Sequence, residues 1–372
     1  MKKKQLILAL VVLLALAALL YWGRDRIHFD FAVFRSQLAR ADWRKIALGI
    51  GCIYLAYVVR AVRWAQLLKH HKKLPALSLL GTQVIGFTAV ALIGRVADLV
   101  RPYLVARRTG LPLSSQIAVY IVERLFDAGS MALIFSVAMI GVPTDEIIKA
   151  TAHSGPLAHL AVTHRELAVF IARYGGLALT LCGALFLILV RWAGGAVASF
   201  FEHALAPVSK SFSIAIGNKI RTFRSGLDTM RSFGEFATTA SLSVGMWLMI
   251  TFAYYIVCKA FVASPELADI TAPKCVLLMI ASGGASVLQL PVIGWFSQIG
   301  LVVVALAGVL GASAEAATAC AATLLLVTFL SIVPVGLIWA RFEHVSLRKI
   351  TVESEHAGEE LSSEEPADQG AI

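Results

Sequence analysis

The chain has 372 residues, 58% of them apolar and 15% charged, with a mean hydropathy of +0.78. A water-soluble domain carries about 45–50% apolar and about 25% charged residues, so this chain lacks the polar surface to face water all round; disordered, fibrous and small disulfide-rich classes are excluded with the soluble ones. The net charge of +10 is uneven: residues 350–372 hold seven acids and no Lys or Arg, and the 33 basic residues before them gather at the ends of hydrophobic runs, which suits an anionic membrane leaflet and argues against nucleic acid.

In chain order, Lys2, Lys3 and Lys4 precede an uncharged run at 5–22, which predicts a retained anchor with a cytoplasmic N-terminus. Residues 24–45 mix charge with Phe29, Phe31, Phe34 and Trp43 and predict an amphipathic helix at the interface, closing an N-terminal unit over 1–45. A span follows at 46–68. A short apolar run at 76–93 breaks at Gly94, and beyond Arg107 and Arg108 a long helix is predicted over 114–142. Residues 46–142 thus form a first membrane repeat. A polar loop (143–166), a span (167–190) and a basic amphipathic segment (191–235) make up the connecting region 143–236. Next come a span at 237–261, two short segments at 275–290 and 295–311 parted by Pro291 and Gly294, and a last span at 316–340, together a second repeat over 237–345. The acidic tail, 346–372, has too little apolar content to fold. The five cysteines (Cys52, Cys182, Cys258, Cys275, Cys320) show no CxxC spacing, so they read as small buried hydrophobes rather than metal ligands.

The short segments decide the topology. Sixteen helical residues reach only about 24 Å, so 275–290 and 295–311 are predicted to enter and leave on one side, and 76–93, turning at Gly94, to do the same. The predicted fold is all-α: a polytopic transmembrane helical bundle of about six full spans plus two short re-entrant hairpins related as an inverted repeat, with both termini cytoplasmic. This layout puts 19 Lys and Arg on the inner side and 10 on the outer, as the positive-inside bias requires. Inverted repeats place their sites where the broken segments of the two halves meet. Ile93-Gly94 and Ile293-Gly294 echo one another, each followed four residues later by a polar side chain, Asp98 and Gln298.

Helix 114–142 carries Glu123, Arg124 and Asp127. A charge at the bilayer centre costs at least about 2.5–3.5 kcal/mol, so these three must face protein or water. Spacings of three and four put them on neighbouring faces of one helix. The Gly94 break supplies Arg95, Asp98 and Arg101 and frees backbone groups that only a protein-lined or wet cavity tolerates. With Arg60 and Arg63, the candidate site carries five arginines and three acids. An anion such as a lipid phosphate, held by guanidinium forks, suits that excess. The candidate substrate-binding residues are therefore Arg60, Arg63, Arg95, Asp98, Arg101, Glu123, Arg124, Asp127 and Gln298, with hairpin turns at Gly94, Pro291 and Gly294. Two other readings of the same charges stay open: mutual pairing that only holds helices together, and a general base at Glu123 or Asp127. The chain has no GxxxxGK phosphate loop, no GxSxG and no HExxH, so neither cofactor nor metal is expected.

The stretches from Arg60-Ala-Val-Arg63-Trp64, through Gly94-Arg95-Val-Ala-Asp98-Leu-Val-Arg101-Pro102-Tyr103, to Val122-Glu123-Arg124-Leu-Phe-Asp127 resemble the lysylphosphatidylglycerol synthase transmembrane-region family, a flippase-like group of integral membrane proteins. Hydropathy extends the resemblance over most of 1–345. Ile93, Ala97 and Asp98 stand where the family usually shows Pro, Gly and Glu, and Gln298 follows the second turn where it usually has Glu. The resemblance implies a plasma-membrane, multi-pass translocator that moves an anionic or aminoacylated phospholipid, or another lipid-linked substrate, between leaflets. Membrane lipids are then its partners, with a lipid-synthesising enzyme as a further one. Bifunctional members carry a soluble aminoacyltransferase domain after the membrane part. Only about 30 residues follow the last span here, short of a domain of about 100, so the chain is expected not to be an enzyme. The alternatives are a membrane-embedded enzyme, or enzyme partner, acting on a lipid-linked substrate, and a non-transporting partner that recruits proteins through its acidic tail.

Overall fold

Asp30 and Asp42 start the described chain by capping two successive helices. In the computed structural model, residues 29–145, 165–207, 209, 213–214, 232–287, 293–346, 349–350 and 352–353 are described, and all regular structure among them is helical. The stretch at 5–22 expected as an anchor, most of the loop at 143–166, most of the basic segment over 208–231, Pro291 and the tail beyond 353 lie outside the described residues. Asp30 accepts from the N–H groups of Ala32 and Val33 at the head of α1 (Phe31–Arg40), and Asp42 accepts from Arg44 N–H at the head of α2 (Trp43–Leu68). The interfacial stretch expected as one helix over 24–45 is thus broken at Ala41. A carboxylate that takes the orphan N–H groups of a first turn starts a new helix rather than continuing an old one.

The remaining elements are α3 (Leu80–Ile93), entered by a 3-10 turn at Ala76–Leu79; α4 (Val100–Thr109), entered by a second at Arg95–Leu99; α5 (Leu113–Ile140); α6 (Arg165–Leu205); α7 (Phe233–Cys258); a short α8 (Pro265–Ala268); α9 (Ala272–Val287); α10 (Ile293–Leu310); α11 (Ala314–Leu325); and α12 (Ile332–Phe342), joined to α11 by a π-helical turn at Leu326–Leu330. Among the described residues, Trp43–Leu68, Ala76–Ile93, Val169–Leu205, Phe233–Cys258 and Ala314–Phe342 are each long and apolar enough to cross a membrane. Helix α5 has the length as well, at 28 residues, but carries three charges within it.

Helices α2 and α7 lie antiparallel along their whole length. Asp42 N–H donates to Ala260 O at one end, Arg63 reaches Ser243 further in, and Lys69 pairs with Glu235 at the other end. The connections sort to these two ends. Asp30 N–H donates to Glu315 Oε1 at the first; Lys72 Nζ donates to Thr109 O, and Arg108 pairs with Glu343, at the second. The chain therefore alternates between ends as a multi-pass membrane protein must.

The helix pairs expected to form the two hairpins pack side by side, the turn of the second pair lying outside the described residues. Gly94 takes φ 92°, ψ −166°, a backbone conformation that favours glycine. Helix α4 then folds back along α3, so closely that a Cβ on Gly86 would stand 2.1 Å from Arg101 Cγ. It returns to the end where α3 began, although Ala76–Ile93 has the length to cross. Helix α9 starts beside the last turns of α7, with Cys275 Sγ–H donating to Thr251 O. Helix α10 packs along α9 and delivers the chain to α11 at that same end. The two hairpins thus open at opposite ends and meet inside: Trp295 Nε1 donates to Ala91 O at 2.9 Å. Packing is reciprocal. Helix α3 lies on α12, and α9 lies on α5, so each hairpin leans on the last span of the other half.

Two boundaries differ from the expectation. The span placed at 167–190 continues as α6 to Leu205, through a kink at Ala193 (φ −123°, ψ 29°) just before Gly194 and Gly195. Forty-one residues make roughly 62 Å of helix, twice the hydrocarbon thickness, so α6 runs on beyond it as the first part of the basic segment. Continuing the helix satisfies backbone groups that a loop at Arg191 would have left to the interface. Helix is also found past 346. Lys349-Ile350 and Val352-Glu353 are helical, Ile350 is buried with Ile85, Ala89, Leu104 and Ala340, and Tyr103 Oη donates to Glu353 Oε2. One apolar side chain with a place to dock outweighs the polar composition around it.

Small residues permit the closest crossing. A Cβ on Gly336 of α12 would stand 1.8 Å from Thr88 Oγ1 of α3, the kind of approach that dispersion between membrane helices exploits. Gly336→Ala is expected to destabilise the fold by about 1–3 kcal/mol, read as a lower unfolding midpoint in detergent. Thr88→Ala in the same chain should restore part of the loss, because the nearest atom is the hydroxyl.

Candidate functional site

Glu123 and Asp127, four apart on α5, face Arg60 and Arg63, three apart on α2, so two helix stripes bring four charges together. Arg63 Nη1 donates to Asp127 Oδ1 at 2.6 Å and to Ser243 Oγ of α7 at 2.7 Å; its Nη2 donates to Glu123 Oε1. Trp247 Nε1, one turn beyond Ser243, donates to Asp127 Oδ1 at 3.2 Å. One guanidinium thus joins α2, α5 and α7. Arg63 and Glu123 are 0% and 1% exposed, so their charges are matched by each other and not by water.

The first hairpin adds Arg101. Its Nη1 lies 3.3 Å from Glu123 Oε2 and 3.4 Å from Gln83 Oε1. The guanidinium sits over the rings of Phe87 (4.4 Å to the centroid) and Tyr120 (5.0 Å), a contact worth more when desolvated than at a surface. Arg124 Nη2 is 2.9 Å from Asp127 Oδ2 and its side chain remains partly exposed. Asp98, on the turn after Gly94, is a third carboxylate within electrostatic reach of Arg124, so among the described side chains four arginines face three carboxylates, leaving one net positive charge.

Arg60 is held differently. Its Nη1 is 3.5 Å from both Glu123 Oε1 and Asp127 Oδ2 and has no hydrogen-bond partner among the described residues. Its guanidinium lies 4.9 Å from the Phe87 centroid. Arg60 also stands in the wall of a cavity of about 140 Å³. Tyr57, Phe87, Trp247, Tyr254 and Gln298 share that wall, so α2, α3, α7 and α10 all contribute, together with α9 and the π-helical turn. Most of the surface is apolar. The cavity lies between the two halves, beside the ionic cluster.

Of the residues singled out in the sequence, Arg60, Arg63, Arg101, Glu123, Arg124 and Asp127 come together. Gln298 does not join them. It is buried on α10, its Nε2 donating to Ser282 Oγ at 3.1 Å, and it meets Arg60 only as a fellow member of the cavity wall. Asp98 is half-buried on the 3-10 turn after Gly94, and Arg95 heads the same turn with a side chain outside the described residues. Gly294 lies in the first turn of α10. The residues gathered as one candidate site therefore fall into two structures. The carboxylates of α5 are closed off by arginines, and the cavity lies on the far side of Arg60. Ser243, Trp247, Gln83, Phe87 and Tyr120 were not singled out. The first two sit four apart in an apolar helix and could have been read as a polar stripe; the aromatics are indistinguishable from core until an arginine lies over them.

The family model described as Lysylphosphatidylglycerol synthase TM region matches residues 6–338. No curated protein and no solved structure matches the chain. The matched range includes both hairpins, the ionic cluster and the cavity.

Because Arg63 donates to both carboxylates and to Ser243 while Arg60 Nη1 bonds neither carboxylate, Arg63→Ala should cost about 3–5 kcal/mol by leaving two buried carboxylates short of a partner, and Arg60→Ala distinctly less. Unfolding midpoints of the two variants in one detergent measure the difference.

Proposed function

The chain belongs to the lysylphosphatidylglycerol synthase TM-region family, and from that membership and the site beside Arg60 we propose a flippase-like lipid translocator. It resides in the plasma membrane with both termini cytoplasmic. The headgroup of an anionic or aminoacylated phospholipid enters the cavity between the hairpins, where Arg60 takes the phosphate, while the acyl chains stay in the bilayer. A separate enzyme or domain makes the lipid.

The observation that carries this reading is Arg60: a buried arginine whose Nη1 has no hydrogen bond among the described residues, standing in a cavity wall built by both halves of the chain. A buried donor left unsatisfied costs about 1–3 kcal/mol, more when charged, and an anionic ligand removes that cost. The surplus of positive charge behind it attracts the same ligand. We read the two halves as an inverted repeat, which the opposed hairpins and their reciprocal packing support. Exchange of the hairpin contacts on the opposite half would then open the cavity to one end and next to the other. The engagement of Glu123 and Asp127 by guanidinium groups works against their use as general bases.

Purified protein in liposomes is expected to speed the movement of acyl-labelled phosphatidylglycerol between leaflets, followed by loss of the label to a membrane-impermeant quencher. Losing one charged hydrogen bond is worth about 1.5–3 kcal/mol, so Arg60→Gln should slow transport at least about tenfold with little change in unfolding midpoint. Wild-type protein that moves lipid no faster than empty liposomes overturns the proposal. Lipid converted to a new chemical species instead would establish the enzyme alternative.

A further inference from the structure

The cavity wall holds a second polar group with an unmet need. Gln298 is 3% exposed and lines the cavity with Arg60. Its Nε2 is committed to Ser282 Oγ at 3.1 Å, and that oxygen also accepts Tyr254 Oη–H at 2.8 Å. With the amide nitrogen turned to Ser282, Oε1 is left over, and it has no partner among the described residues. An acceptor buried in a mostly apolar wall is costly to leave empty. The wall therefore presents two complementary demands: a donor with positive charge at Arg60 and a neutral acceptor at Gln298.

We infer that Gln298 is a specificity-determining residue whose carboxamide oxygen selects headgroups carrying a hydroxyl or ammonium donor next to the phosphate. The inference rests on the translocator reading above. A phosphodiester bearing glycerol or ethanolamine meets both demands at once. A choline headgroup offers only methyl groups and leaves Oε1 desolvated and unpaired. A site built to bond a donor rejects the analogue without one far more strongly than an apolar pocket rejects an extra group. The carboxamide is neutral, so it accepts from a hydroxyl and an ammonium alike and does not repel the phosphate held by Arg60. At about 140 Å³ the cavity is smaller than the roughly 300–1,000 Å³ of drug-sized pockets, which fits a headgroup of this size with the acyl chains outside.

The test uses full-length protein in liposomes with acyl-labelled phosphatidylglycerol, phosphatidylethanolamine and phosphatidylcholine in separate arms. The first two are expected to move about tenfold faster than the third, the equivalent of one hydrogen bond lost to an unpaired acceptor. Gln298→Met, of similar length but with no acceptor amide, should abolish the preference, bringing the phosphatidylglycerol and phosphatidylethanolamine rates to that of phosphatidylcholine in the same variant. Gln298→Glu, of the same size, should turn the even preference into one for the ammonium headgroup. Equal transport of all three lipids by wild-type protein overturns the role of Gln298 and leaves the translocator reading standing. So does a donor preference that survives Gln298→Met. Transport of none of the three overturns the translocator reading itself.

Discussion

One guanidinium organises the membrane part of this protein. Arg63 sits among helices that lipid surrounds, where an unpaired charge costs several kcal/mol, and it meets both carboxylates of α5 and a hydroxyl of α7. The three helices are therefore not free to slide or rotate past one another without breaking a charged contact. A buried ion pair is weak evidence of net stability, since desolvation offsets much of the attraction. Its value lies in allowing one arrangement and penalising the others. Ser243 and Trp247 extend that control to α7, whose two ends are also tied to α2 by Lys45 with Lys259 O and by Lys69 with Glu235.

The same interaction creates the spare charge. Glu123 and Asp127 are engaged by Arg63, Arg101 donates to Glu123, and Arg124 stands within ionic reach of Asp127 Oδ2, which accepts no hydrogen bond among the described residues. Arg60 stands within ionic reach of both carboxylates but outside hydrogen-bond range. The cluster behaves as a positively charged block, and Arg60 is the member of it that also lines the cavity. Arg63 is placed to hold the architecture and Arg60 to meet a ligand, although the two lie three residues apart on one helix.

The cavity exists because several elements stop short. The first hairpin turns at Gly94 and the second returns to its own end, so the two meet between the halves rather than running past one another. Trp295 of one reaches the backbone of the other, which closes the gap between them without filling the space beside it. The π-helical turn at Leu326–Leu330 contributes Thr328 and Phe329 to the same wall. Irregular backbone at membrane depth persists where protein surrounds it, and here the irregular elements surround the cavity. Each hairpin leans on the other half's last span, so a movement of either half must change both contacts.

Much of this was legible in the residues themselves. Long apolar runs bounded by basic residues have one stable solution in lipid, a bundle of spanning helices. The turn back at Gly94 was legible from the glycine that breaks the run, although the run itself is long enough to cross. Charges on a membrane helix must find partners, and helical periodicity told which of them share a face; that is why Arg60, Arg63, Glu123, Asp127 and Arg101 could be gathered in advance. Periodicity says nothing about which helix a face meets. Ser243, 180 residues from Arg63, joined the cluster only through the antiparallel packing of α2 and α7. Gln298 went to the cavity wall and not to the ions because its amide was turned to Ser282. Ile350 found a socket that no tail composition reveals. The sequence determined the list of groups that could not face lipid; the tertiary structure decided which were satisfied by one another and which were left open, because that depends on distances between helices far apart along the chain.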